Sequence, residues 1–204
     1  MRDKLLFAGL FAVGLGILGA SWHSVTRANA DTSVPEDHSG PVMVIDVAGE
    51  ATGAIRIALR DDLAPNHVER LVTLAERGDY DGVVFHRVID GFMAQTGDVE
   101  HGKDDANARR WGTGGSDLPN LRAEFTNQPF ERGVIGMARS QSPDSANSQF
   151  FIMFAAAPHL NGQYTVVGQM IDGFEVLDAI KRGTGGNGAV VGTPDRMERV
   201  TIER

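Results

Sequence analysis

The run "FHRVIDGFMAQTGD", residues 85–98, decides how this chain is read. It sets Arg87 among Phe85, Val88, Ile89, Phe92 and Met93, directly after Val83 and Val84. Such a stretch is otherwise fit for burial, and arginine is rarely buried without a partner. The acid close enough to serve is Asp90, but it adjoins Gly91 in what reads as a turn. A permanent positive charge is thus placed against apolar surface, and both fold and function turn on what holds it there.

Outward from this run, short amphipathic segments alternate with turn signals. "VMVIDVA" (42–48) and "AIRIALR" (54–60) read as strands joined by a hairpin at "GEATG". "VVFHRVI" (83–89), "FMAQTG" (92–97), "GVIGMAR" (133–139), "SQFFIMF" (148–154), "YTVVGQM" (164–170) and "RVTIE" (199–203) follow. "PNHVERLVTLAERG" (65–78) reads as a helix, with Pro65 in its first turn, Gly78 at its stop and Val68, Leu71, Val72 and Ala75 at helical spacing. "GFEVLDAIKR" (173–182) reads as a second helix. Strands and helices do not alternate regularly, which argues against a parallel doubly wound sheet. The expected fold is mainly β: a closed eight-stranded antiparallel barrel capped by two α-helices. Side chains fill the interior of such a barrel, so any site must lie on its outer face.

The 204 residues suit one domain plus a leader. The formal charge is −8 and no basic patch is visible, so no nucleic-acid partner is expected. The absence of cysteine excludes disulfides, thiolate metal sites and thiol chemistry. Residues 1–30 read as a leader. Arg2 and Lys4 precede an uncharged apolar run from Leu5 to Ala20, and Ala28-Asn29-Ala30 supplies a small-residue exit. The run is short for a bilayer span, which takes about 20 residues. Two readings stay open: a cleaved signal peptide, giving a periplasmic or secreted protein without stable membrane contact, or an uncleaved N-terminal anchor. Residues 31–40 read as a polar linker and residues 41–204 as the folded domain.

Several apparent motifs fail. Gly183–Gly188 fits G-x-G-x-x-G, but a helix precedes it and no helix follows, so it reads as a flexible loop. The glycines around "GTGGSDLP" (112–119) lack the spacing of a nucleophile elbow. His67, His86, His101 and His159 show no paired metal-ligand spacing, so neither metal nor cofactor is expected. His86 and Arg87 point to opposite faces of a strand, and His86 reads as a hydrogen-bonded structural residue. The charged segment 99–111 reads as an exposed loop.

One constellation does not fail. "FHRVIDGFMAQTGD", "GVIGMARSQSPDSANSQFFIMF" (133–154) and "LNGQYTVVGQM" (160–170) resemble the cyclophilins, a family of peptidyl-prolyl cis–trans isomerases, and in particular the exported bacterial type. The resemblance spans about 41–204 and implies the closed barrel with two helices. It places the catalytic arginine on Arg87. It places an apolar proline pocket on Phe92, Met93, Phe151 and Leu160, and polar substrate contacts on Gln95, Gln149 and the backbone of Ala138 and Arg139. Gly112 falls on the groove's glycine-rich rim, and His159 and Tyr164 also fall at substrate positions. Many members carry tryptophan at His159 and histidine at Tyr164, so weak cyclosporin binding is expected. Arg139 replaces an asparagine common in animal members. The implied partners are proline-containing unfolded or partly folded polypeptides, and the implied role is to assist folding as a monomer.

Elementary chemistry supports this reading. Rotation about a peptide bond faces a barrier of about 18–20 kcal/mol, and X–Pro bonds populate both isomers yet exchange slowly. Catalysis needs the twisted state held better than the planar ones. A guanidinium is always charged, carries five donors and has no acceptor, so it can donate to the imide nitrogen as resonance breaks. Two other functions compete: a proline-peptide receptor or holdase chaperone using the same groove without turnover, and a hydrolase built on His86 and a serine.

Overall fold

The computed structural model describes residues 40–103 and 105–204. The leader expected over 1–30 and the linker expected over 31–40, apart from Gly40, lie outside them.

Nine strands form one antiparallel sheet. They are β1 (Val42–Ala48), β2 (Gly53–Leu59), β3 (Val83–Val84), β4 (Arg87–Ile89), β5 (Met93–Thr96), β6 (Val134–Met137), β7 (Phe150–Met153), β8 (Val166–Asp172) and β9 (Arg196–Glu203). Their order is β3-β9-β1-β2-β8-β6-β7-β5-β4. Among the described residues two α-helices, α1 (Pro65–Glu76) and α2 (Phe174–Ala179), accompany the sheet.

The closed eight-stranded barrel is corrected to a nine-stranded curled half-barrel. The single strand expected over 83–89 is two strands that pair at opposite ends of the sheet. Val83 and Val84 pair with Met197 and Arg196 of β9, whereas Arg87 to Ile89 pair with Gln95 to Met93 of β5. Phe85 and His86 carry the chain from one end to the other. The outer edge of β4 does not meet β3, because the loop after α2 occupies it. Gly183 N–H donates to Val88 O (2.9 Å), Val190 N–H donates to His86 O (3.0 Å), and Ala189 bridges to Arg87. Covering an edge this way prevents stray strand pairing. Thus Gly183–Gly188, expected as a flexible loop, lies in a segment docked on both sides of Arg87.

Two apolar clusters follow from the two-residue period of the strands. Met43, Ile45, Ile55, Ile57, Ile135, Phe150, Ile152 and Val167 face the inner side. The helix residues Val68, Leu71, Leu74 and Leu177 pack into the same cluster. Val72, expected in that helix stripe, is only half-buried. Full burial of each such side chain stabilises by about 1.5–3 kcal/mol. Met93, Val134, Phe151, Met153 and Val166 face the other side and form a smaller cluster with Phe130 and Leu160. The alternation sends Phe150 inward and Phe151 outward, and the outer cluster is the floor on which the candidate site is built.

Candidate active site

Strand register lines up one row of residues across the outer face. Arg87 lies opposite Gln95, Gln95 opposite Phe151, Phe151 opposite Gly136 and Gly136 opposite Val166. The row runs from cation to amide to aromatic ring. Gly136 leaves the space into which that ring settles. A Cβ there would collide with Phe151 and stand 2.6 Å from Phe130 Cε1. The two phenylalanine rings stack at 5.7 Å.

Above this row is an apolar cavity of about 170 Å3. Phe92, Met93, Phe151 and Leu160 line it, with Tyr164 and Ala138 beside them and Arg87, Gln95 and Arg139 at the polar edge. Beside it lies a polar cavity of about 450 Å3, walled by Gly112–Ser116, Ser140, Ser145 and Asn147. The two cavities share Gln95, Ala138 and Arg139, and Gln149 lines the polar one. His159 lines neither; it is exposed and packs on the flank of Phe92 at 5.7 Å. The Ala138 N–H donates to Gln149 O (2.9 Å), so it is not available to a ligand.

Arg87 is half-buried and its partners are neutral. Its Nη1 donates to Gln95 Oε1 (3.1 Å) and lies 3.7 Å from Met93 Sδ. Nε donates to Asn187 O (3.0 Å) and Nη2 to Asn187 Oδ1 (3.1 Å). Asp90, the acid nearest in sequence, pairs instead with Arg182 (2.9 Å). Among the described residues no carboxylate is in ion-pair reach of Arg87. Burial draws its pKa down from the ordinary value, with Tyr164 acting the other way; a guanidinium remains protonated throughout.

The hydrogen bonds continue beyond Arg87 in one direction. Gln95 Nε2 donates to Gln149 Oε1 (3.0 Å), and Gln149 Nε2 donates to Gly114 O (2.8 Å). The glycine rim is held from below by Asp98. This fully buried carboxylate accepts from the N–H groups of Gly112 (2.7 Å), Gly114 (3.1 Å), His101 (2.9 Å) and Glu100 (3.2 Å). Gly112 has φ +79° and rests on the ring of His86, where a Cβ would stand 2.8 Å from Nε2. Arg139 stacks 4.5 Å over Tyr164 and donates to the carbonyls of Gln163, Ser140 and Gln141.

Sequence reasoning brought Arg87, the apolar four and the two glutamines to one place. It missed Asn187, Asp98, Asn147 and Phe130. A lone asparagine among glycines was the available signal for Asn187, since asparagine tolerates left-handed backbone. His86 was expected to be a hydrogen-bonded histidine; among the described residues its ring nitrogens meet no partner of ordinary hydrogen-bond geometry, though the Val84 backbone acts on the ring. Burial pushes its pKa down to about 4. Among the described residues no serine is in hydrogen-bond reach of it, so they do not form the serine–histidine pair a hydrolase would need. Among the described residues no histidine and carboxylate cluster could hold a metal ion.

Comparison with known proteins matches residues 43–203 to the family model described as cyclophilin type peptidyl-prolyl cis-trans isomerase/CLD. A Brucella suis protein named "Probable peptidyl-prolyl cis-trans isomerase" is 55% identical over 153 residues, covering 74% of this chain and 78% of that protein. An Arabidopsis thaliana peptidyl-prolyl cis-trans isomerase is 39% identical over 150 residues, covering 74% and 90%. A Cryptosporidium parvum cyclophilin type peptidyl-prolyl cis-trans isomerase, crystallised in the presence of the dipeptide Ala-Pro, is 25% identical with a TM-score of 0.67, covering 80% and 99%.

Proposed function

The chain belongs to the cyclophilin-type peptidyl-prolyl cis–trans isomerase family, and from that premise we propose that Arg87 catalyses rotation about X–Pro bonds of peptides lying across the two cavities. The chain is a peptidyl-prolyl cis–trans isomerase. The observation that carries the role of Arg87 is its set of neutral acceptors beside an apolar cavity of about 170 Å3. The charge is fixed in direction but not cancelled.

The proline ring enters the cup of Phe92, Met93, Phe151 and Leu160, where contact excludes water. The chain on one side of the ring rotates past Gln95 and the polar cavity. As the C–N bond twists, the nitrogen regains its lone pair, and a free N–H of Arg87 donates to it. That hydrogen bond is weak to a planar imide and strengthens with the twist, so it stabilises the transition state selectively. Water exclusion strengthens it further. No bond to the enzyme forms, and no proton is transferred. Each tenfold in rate requires about 1.4 kcal/mol, and a charge-assisted bond contributes on the order of 1.5–3 kcal/mol.

An exchange assay on an Ala-Pro peptide tests this. The wild-type chain accelerates interconversion, and Arg87→Ala loses most of it while keeping its thermal melt. Wild-type binding of the peptide without acceleration selects the receptor or holdase reading instead.

The finer setting is also part of the reading: an exported, bacterial-type monomer that assists folding of proline-containing chains outside the cytoplasm. The composition of residues 1–30 supports export. Fractionation with N-terminal sequencing of the recovered protein tests it, and retention in the cytoplasm would refute it.

A further inference from the structure

We infer that Asn187 is a positioning residue for the isomerisation, aiming the Arg87 guanidinium along the apolar cavity by gripping one of its edges with two oxygens of a single left-handed residue. This rests on the role of Arg87 given above.

Nε and Nη2 form one edge of the guanidinium fork, and both donate to Asn187: Nε to its main-chain oxygen, Nη2 to its side-chain oxygen. Gln95 holds Nη1 on the other side. With the contact from Nη1 to Met93 Sδ, four of the five N–H groups are engaged, leaving one on Nη2. An edge held at two points cannot swing about the Nε–Cζ direction, so the free donor keeps one heading.

The double grip needs an unusual backbone. Asn187 has φ +55° and ψ +30°, the sole positive φ at a non-glycine among the described residues. Left-handed backbone costs an L residue roughly 1–2 kcal/mol, least for asparagine and nothing for glycine. Its neighbours Gly185, Gly186 and Gly188 are glycines, so a glycine at 187 would relieve the strain locally. Strain kept beside a reacting centre points to a function for the side chain. The platform under it is firm. Gly183 bonds to Val88 of β4 and Val190 to His86 just before it, and a Cβ on Gly188 would collide with Ile89.

The chemistry of the acceptor also fits. A carboxylate at 187 would hold the fork as well, but it would neutralise the charge that must act on the imide nitrogen. An amide oxygen orients the guanidinium and leaves its charge uncompensated.

Asn187→Gly isolates the side chain, because glycine keeps the left-handed turn and the main-chain acceptor. In the Ala-Pro exchange assay kcat should fall about tenfold while KM stays within about twofold, with no fall in melting temperature. In 15N NMR of the full chain, the two Nη signals of Arg87 should be distinct in the wild type and merge in this variant. Asn187→Asp restores an oxygen at the same place and should restore the distinct signals. Wild-type kcat in a well-folded Asn187→Gly variant would overturn the role of Asn187 alone. An Asn187→Asp spectrum as merged as that of Asn187→Gly would overturn it too. A wild-type chain that fails to accelerate exchange would overturn the catalytic role of Arg87, and this one with it.

Discussion

Arg87 and Gln95 face each other in register across β4 and β5, with the arginine's Nη1 3.1 Å from the glutamine's Oε1. The contact needs a planar fork, because the same guanidinium also reaches both oxygens of Asn187. An ammonium is a compact charge that cannot span these positions. Arg87→Lys should therefore cost at least about tenfold in kcat/KM, equivalent to about 1.4 kcal/mol. Peptide exchange kinetics at saturating and limiting substrate measure this; a lysine variant as fast as the wild type would show that charge alone suffices.

The floor of the proline cavity depends on a missing side chain. Gly136→Ala would drive a methyl group into Phe151 and Phe130. Overpacking of this kind costs typically about 1–3 kcal/mol. Urea denaturation should show that loss, and KM for the Ala-Pro peptide should rise as Phe151 is displaced. Unchanged stability would mean that the two rings yield without strain.

Stability should depend on pH through His86. Its folded-state pKa lies near 4, against an ordinary value of 6.5, because burial disfavours the charged ring. The unfolded chain therefore takes up the proton first. The stabilisation is complete above about pH 6.5 and is lost as the pH falls towards 4, by on the order of 3 kcal/mol. Denaturant melts across that window should fall more steeply for the wild type than for His86→Gln. Parallel slopes would assign the pH dependence to other groups.

The exposed imidazole of His159 packs on the flank of Phe92. An indole would extend that apolar wall and supply a hydrogen-bond donor. His159→Trp should tighten cyclosporin binding by about tenfold or more, since burying an aromatic face contributes a few kcal/mol. Titration calorimetry on both chains checks it, and equal affinities would show that position 159 does not set cyclosporin affinity.

How far the sequence led can be judged element by element. Helix α1 was legible because Pro65, the apolar spacing and Gly78 are local signals. The division of Phe150 and Phe151 between inner and outer faces was legible because a strand alternates. That Asp90 is a poor acid partner for Arg87 was legible from its place in a turn; it pairs with Arg182 instead. The break in 83–89 was not. Its apolar pattern is continuous, and it divides because β9 captures Val83 and Val84 while β5 captures Arg87 to Ile89. Asp98 stood in a quoted motif, yet nothing local showed that its carboxylate would hold, besides the nearby N–H groups of Glu100 and His101, those of Gly112 and Gly114 in the glycine rim.

By itself, then, the sequence determined the strand-rich class through periodicity, while the apolar cup and its cation followed from the resemblance of its motifs to the family. Only the tertiary structure decided where that cation points. The residue gripping its Nε lies 100 positions along the chain. No local propensity encodes a contact that arises when the loop after α2 closes the open edge of β4. Direction comes from hydrogen bonds between segments that meet only in the folded chain.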